Sequence, residues 1–155
     1  MFSERELERY KRQIILFGEE GQERLKGAHI FIAGAGGLGS PIAIYLAVAG
    51  IGTITIADMD TVDQSNLNRQ ILHTDRDVGK KKTVSAREKL QAYNPDITVN
   101  AIDTTIGAEN IDRLVGRADG IVDAIHVISD EFRFEHEFNQ DNARFYLDRL
   151  REMIF

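Results

Sequence analysis

Three glycines, Gly34, Gly36 and Gly37, fall between the apolar run His29–Ala33 and the apolar segment Leu38–Val48, whose second residue is a fourth, Gly39. Glycine at this spacing lets a backbone approach a phosphate, and a helix that follows presents unpaired N–H groups to the anion. About twenty residues on, Asp58 ends a second apolar run, where a carboxylate can accept a hydrogen bond from a ribose hydroxyl. The bare G-x-G-x-x-G pattern also serves purely structural turns. Its context, with a strand before, a helix after and the acidic residue beyond, points to a nucleotide.

A second set of polar residues lies just past the acidic pair Asp58 and Asp60, in Asn66-Leu67-Asn68-Arg69-Gln70. Arg69 is either a solvated surface charge or, at the carboxyl ends of the strands, a phosphate contact whose guanidinium fork suits phosphate oxygens. Lys80, Lys81 and Lys82 are expected in the first turn of a helix, where cations oppose the macrodipole. They form a solvated face or meet an anion.

Composition narrows the classes. The chain has 155 residues, 43% of them hydrophobic, enough for one core and one domain. Its net charge of -6 argues against a general nucleic-acid binder. The absence of cysteine excludes disulfides, thiolate zinc sites and a cysteine nucleophile. The N-terminus lacks a signal peptide's apolar core, and no apolar stretch has the length of a membrane span. The expectation is a soluble cytoplasmic protein.

The elements that must position these residues follow from pattern. Ser3 and Glu6 form a capping box for a helix running toward Lys11, and a second short helix, Gly21 to Lys26, is closed by Gly27 in the left-handed position. His29–Ala33 and Thr53–Ala57 read as buried strands with the helix Leu38–Val48 between them. Asp63 to Asp77 is an aperiodic loop, Val78 to Tyr93 a helix stopped by Asn94-Pro95, and Ile97, Val99 and Ala101 a third strand. A short helix around Ile111 to Val115 and a strand Gly120 to Ala124 complete the series. The alternation predicts an α/β fold, a three-layer Rossmann-like sandwich on a mostly parallel, doubly wound sheet.

In order along the chain, Arg9-Tyr10-Lys11-Arg12-Gln13-Ile14, Phe17-Gly18, Gly21-Gln22, the glycine turn, Asp58-Met59-Asp60, Ser65 to Gln70, Val78 to Lys82 and Asn94-Pro95 resemble the ThiF/MoeB/HesA-type activating enzymes, relatives of the ubiquitin-activating enzymes. The resemblance covers residues 5–125. It implies ATP and magnesium as cofactors, a homodimer, and adenylation of the C-terminal glycine of a ubiquitin-like sulfur-carrier protein, as in thiamine or molybdopterin sulfur transfer. By resemblance Gly34, Gly36, Gly37 and Gly39 hold the nucleotide and Asp58 its ribose, with Asp60 beside it. Asn66, Arg69, Gln70 and Lys82 surround the triphosphate, and Arg12 reaches across the dimer. Arg12, Arg69 and Lys82 are then the catalytic cations. A carboxylate is already a nucleophile, so fixed cations suffice without a general base. The missing cysteine excludes a thioester step in this chain.

Two departures stand out. The family's Asp-x-x-Asp-Asn, whose second aspartate helps bind magnesium, is Asp123-Ala124-Ile125-His126-Val127 in this chain. Imidazole is a poor magnesium ligand, so His126 is a structural residue or a replacement ligand, while Asp123 keeps its place and can partly substitute. Beyond Ile125 the composition shifts: all 13 glycines precede the tail, and five of the eight phenylalanines lie in it. The expected organisation is an ATP-binding domain over 1–125, its first 27 residues contributing to the dimer contact, and a divergent aromatic-rich helical tail over 126–155. Further strands and the zinc-binding cysteines common in the family have no counterpart. Two other functions therefore stay open, a non-catalytic ATP-binding or dimerisation module and, from the glycine motif alone, a nicotinamide-dependent dehydrogenase.

Overall fold

The computed structural model describes residues 2–125, so His126 and the expected tail helix lie outside the described residues. The first element, α1 (Glu4–Gly27), starts at the expected capping box, with the Ser3 side chain accepting from the Glu6 backbone N–H and the Glu6 carboxylate accepting from that of Ser3. The helix continues past Lys11 and is broken at Gly18, whose φ of 73° and ψ of 172° leave helical space. The left-handed residue is thus Gly18, while Gly27 remains the last helical residue and Ala28 caps the end. Gly18 separates two helical stretches, and the end at Gly27 needs no left-handed residue because Ala28, with φ -77° and ψ 147°, leads extended into β1.

The central sheet is built from β1 (His29–Ala33), β2 (Thr53–Asp58), β3 (Thr98–Asp103) and β4 (Gly120–Asp123), all parallel, in the order β3-β2-β1-β4. In register, Ile30 faces Ile54 and Ile32 faces Ile56 across β1 and β2. Alternate side chains enter opposite layers. Ile30, Ile32, Ile54, Ile56 and Val99 pack on one face against Ala43 and Ala47 of α2 (Gly39–Ala49) and Ala86 and Leu90 of α3 (Lys82–Tyr93). Phe31, Ala33 and Ala57 enter the other face against Leu114 of α4 (Ile111–Val115). Both faces are covered, so β1 is apolar after His29, while β2 alternates threonine with isoleucine and its buried Thr55 hydroxyl is paired with His29 Nε2 at 2.8 Å. Each fully buried isoleucine contributes about 2 kcal/mol relative to an exposed one.

The chain steps outward from β1 to β3, then returns to place β4 on the other side of β1, reversing direction between β1 and β4. Asn94 locks the helical layer. It ends α3 and its amide donates to the Tyr10 hydroxyl of α1 at 2.8 Å and to the Ala47 carbonyl of α2 at 2.7 Å. One expected boundary moves: α3 begins at Lys82 rather than Val78. Gly79 adopts φ 88°, Thr61 bridges to Lys81, and the Lys82 N–H donates to the Asp60 carbonyl, so residues 78–81 turn and pair instead of coiling. Only Lys82 of the three lysines is in the helix. The segment 63–77 is a loop with short 3-10 turns at Gln64–Asn66 and Asp75–Asp77. Among the described residues no helix is long and apolar enough to cross a membrane.

Candidate functional site

In open parallel sheets ligands bind beyond the carboxyl ends of the strands, where the winding direction reverses. A cleft of about 960 Å³ opens at that place. Gly34, Gly36, Gly37 and Leu38 line it from the end of β1, Ala57 to Asp60 from β2, Thr104 to Ile106 from β3, and Ala124 and Ile125 from β4. Asn66, Arg69, Gln70 and Lys82 close it from the loop and from α3. Nine residues singled out by sequence therefore meet in one space: Gly34, Gly36, Gly37, Asp58, Asp60, Asn66, Arg69, Gln70 and Lys82.

The glycines divide into distinct tasks. Gly34 takes φ 97°, and a Cβ there would stand 2.9 Å from the Ala124 carbonyl oxygen. A Cβ on Gly39 would come within 2.0 Å of the Gly34 carbonyl oxygen, so Gly39 lets α2 sit against the end of β1 and does not itself line the cleft. Gly36 and Gly37 do line it, and among the described residues their N–H groups meet no acceptor. Asp58 ties the turn to β2, one carboxylate oxygen accepting from the Ala35 N–H and the other from the Asp60 N–H, each at 2.8 Å. Each oxygen keeps a lone pair for a further donor.

The cations are sorted by their partners. Lys82, only 5% exposed, points its ammonium at the Asp60 carboxylate at 2.7 Å. Lys81 pairs with Asp103 at 3.1 Å, and Lys80 reaches Glu88 at 3.0 Å and Asp77 at 3.3 Å, both outside the cleft. The three lysines thus do not share one anion site: Lys82 lines the cleft, while Lys80 and Lys81 are exposed, the first tied to Asp77 and Glu88 and the second to Asp103 of β3. Arg69 is exposed, and its Nη1 donates to the Ser65 carbonyl at 3.1 Å and the Asn68 side chain at 3.0 Å. Gln70 is buried to 5% exposure, yet its Oε1 has no partner among the described residues. A buried acceptor left unmade is costly, which marks a place for a donor from a ligand.

Arg12 and Asp123 stand elsewhere. Arg12 lies exposed on α1 with no ion pair to a described residue, and Asp123 lies exposed at the end of β4, accepting from the Ile125 N–H at 3.1 Å. Neither lines the cleft. Among the described residues no group of three or more His, Asp or Glu side chains is placed to hold a metal. Sequence reasoning passed over Met59, Thr104, Thr105 and Ile106, although residues just after a parallel strand were the place to look. It also passed over His73, buried behind the glycine turn, whose ring nitrogens contact Ser85 Oγ and the Ala35 carbonyl oxygen at 2.9 Å each. Burial pushes its pKa down, keeping it neutral.

The family model described as ThiF family matches residues 10–139. This chain belongs to the ThiF family. As a ThiF-family member it is 46% identical over 125 residues to the sulfur carrier protein adenylyltransferase of Thermus thermophilus, covering 79% of this chain and 46% of that relative. It is 43% identical over 129 residues to the molybdopterin-synthase adenylyltransferase of Salmonella typhimurium, covering 82% and 52%. Among solved structures it is similar to the E. coli tRNA N6-threonylcarbamoyladenosine dehydratase TcdA in complex with ATP, with a TM-score of 0.78 at 32% identity, covering 83% of this chain and 53% of that one. The chain spans about half the length of the curated relatives it matches.

Proposed function

We propose that the cleft binds ATP and that this ThiF-family chain adenylates the C-terminal glycine carboxylate of a ubiquitin-like sulfur-carrier protein. The observation that carries the reading is the meeting, at the switch point, of the acceptor-free N–H groups of Gly36 and Gly37 with Lys82 and Arg69. That set matches the charge distribution of a triphosphate. Asp58 is placed to take a ribose hydroxyl, and the apolar lining from Ala57, Met59, Ile106 and Ile125 suits an adenine ring. The unpartnered Gln70 Oε1 can accept only from a donor such as a hydroxyl, an amino group or water.

In the proposed reaction a carrier carboxylate oxygen attacks the α-phosphorus. The new P–O bond gives an acyl-adenylate as the bond to the β-phosphate oxygen breaks and pyrophosphate leaves. Charge grows on the phosphate oxygens along this path, and cations already fixed in place stabilise it without reorganising. Magnesium would travel with the nucleotide. The described residues do not form a metal cluster, so no step is assigned to a protein-held ion.

The reading includes a homodimer. Arg12, Ile15 and Leu16 share one face of α1, and Ile15 and Leu16 are 82% and 80% exposed. An arginine flanked by uncovered apolar side chains supports burial against a second copy, carrying Arg12 to the partner's ATP. The sequence substitution at His126 favours one alternative, a module that binds ATP without turnover. Carrier-dependent exchange of pyrophosphate into ATP tests both readings. Exchange that requires magnesium and is abolished by Arg69→Ala is expected. Measurable ATP affinity without exchange on any carrier would overturn the enzyme reading and leave the binding module.

A further inference from the structure

We propose that His73 is a positioning residue for the nucleotide phosphates, one that aims the Gly36 N–H into the cleft by holding the Ala35 carbonyl on the opposite side. The inference rests on the reading of the cleft as an ATP site and adds to it a residue that does not touch the ligand.

The geometry is that of one peptide plane. The peptide joining Ala35 to Gly36 is trans, so its C=O and N–H point in opposite directions. Ala35 is fully buried, and its carbonyl oxygen lies 2.9 Å from His73 Nε2. Its own N–H is held by Asp58 Oδ2 at 2.8 Å. The residue is gripped on both sides, and the N–H that follows, on Gly36, is sent toward the cleft that Gly36 lines, with no acceptor among the described residues.

A carbonyl oxygen can only accept, so Nε2 carries the proton, and in the neutral ring Nδ1 then accepts from the Ser85 hydroxyl at 2.9 Å. Ser85 sits on α3, the helix that also carries Lys82. One buried chain of hydrogen bonds therefore links the anchor of the cleft's lysine to the glycine turn, fixing their relative placement.

Nitrogen-resolved NMR of the full chain reads the His73 tautomer directly, and titrations with ATP and with adenosine read its consequence. The expected result is a neutral Nε2–H ring. His73→Ala should weaken ATP binding about five- to tenfold and leave adenosine binding unchanged, since only the phosphates use the Gly36 N–H. Glutamine places an amide nitrogen near the Nε2 position and asparagine near Nδ1, so H73Q should restore ATP affinity while H73N should not. An Nδ1–H tautomer in the wild-type protein overturns the proposal even if no variant folds. Equal loss of ATP and adenosine affinity, or equal ATP affinity in wild type and H73A, overturns it while leaving the ATP site standing. Failure of the wild-type protein to bind ATP overturns the underlying reading as well.

Discussion

Replacing Gly39 by alanine separates the structural glycines of the turn from those that serve a ligand. The added Cβ would stand 2.0 Å from the Gly34 carbonyl oxygen and 3.0 Å from its carbon. Non-bonded carbon and oxygen need more than about 3 Å, so one of two backbone segments must move by about 1 Å. Neither is free to yield: Gly34 donates its N–H to the Ala57 carbonyl at 2.8 Å, and α2, in which Gly39 is buried, is fixed by Ala43 and Ala47 packed in the core with Ile30 and Ile32. Overpacking of this kind costs about 3 kcal/mol, and alanine's better helix propensity offsets about 0.7 kcal/mol of it. The net loss of about 2 kcal/mol would lower the melting midpoint by roughly 6 °C. At Gly36 and Gly37 the nearest atoms to a new Cβ are Gln70 Nε2 at 3.7 Å and Arg69 Cγ at 3.5 Å, ordinary contacts with side chains. G36A and G37A should therefore unfold within about 0.5 kcal/mol of wild type while losing ATP affinity, because their methyl groups enter the cleft lining. Urea unfolding paired with calorimetric ATP titration reads both quantities on each variant. A G39A protein with the wild-type midpoint, or a G36A protein that melts as early as G39A, would refute this division.

Three other outcomes are expected. Hydrogen bonds from Lys26 and from Ser3 hold the Glu6 carboxyl at about 2, against 4.5 for the free group. The folded state then binds fewer protons, and the stabilisation, about 1–2 kcal/mol after allowance for a partly exposed Lys26, is complete above pH 5 and lost as pH falls toward 2. E6Q should flatten that part of the stability–pH curve, and parallel curves for the two proteins would contradict it. Asp77→Asn should destabilise by about 2 kcal/mol, since Asp77, 1% exposed, accepts from Thr74 and pairs with Lys80 and Lys89, and its neutralisation leaves Lys80 with Glu88 alone and removes the counter-charge of Lys89. Faster proteolysis within residues 63–78 would accompany the loss. Arg12→Ala and Lys82→Ala, each inactive alone in pyrophosphate exchange, should regain activity when mixed, because one mixed site then carries both native residues. No recovery on mixing would argue against Arg12 acting across a dimer.

Much of the fold was legible because its signals are local. A strand buried on both faces tends to be continuously apolar, which makes His29–Ala33 recognisable, whereas Thr53–Ala57 is recognisable by its alternation of threonine with isoleucine. Helix boundaries were less legible where backbone pairing overrode composition. Val78 to Lys81 has helical character as a string, yet the bridge from Thr61 to Lys81 and the left-handed Gly79 hold it extended until Lys82. In the same way Gly27 reads as a left-handed cap in sequence, yet the chain leaves α1 through an extended Ala28 straight into β1. Of the residues lining the cleft, the glycines of the turn and Arg69 could be named in advance because their types suit phosphate, while Asn66 and Gln70 could be named only through the resemblance of their run to the family's. His73 could not, since its role depends on a carbonyl 38 positions away in the chain. A lone histidine in a polar loop carries no local sign of what it will be buried against.

The partners of Lys82 show why the three lysines had to be told apart by structure. A nearly buried ammonium without a counter-charge would be costly, and Asp60 supplies that charge. Asp60 has its own side chain half exposed, so its grip is screened by water and can share the ammonium with an incoming phosphate. Only one of the three ammonium donors is occupied by Asp60, which leaves two for phosphate oxygens. Lys81 differs on each point: exposed, bound to Asp103 and to the Met59 carbonyl, it holds β3 and the end of β2 together. Neutralising Lys82 should therefore remove nucleotide affinity with the fold kept, whereas Lys81→Ala should alter neither strongly, because an exposed ion pair contributes at most about 1 kcal/mol. ATP affinity that falls equally in both variants would mean that the cluster acts as a diffuse positive field, and the assignment of the cleft's charge to Lys82 alone would be wrong.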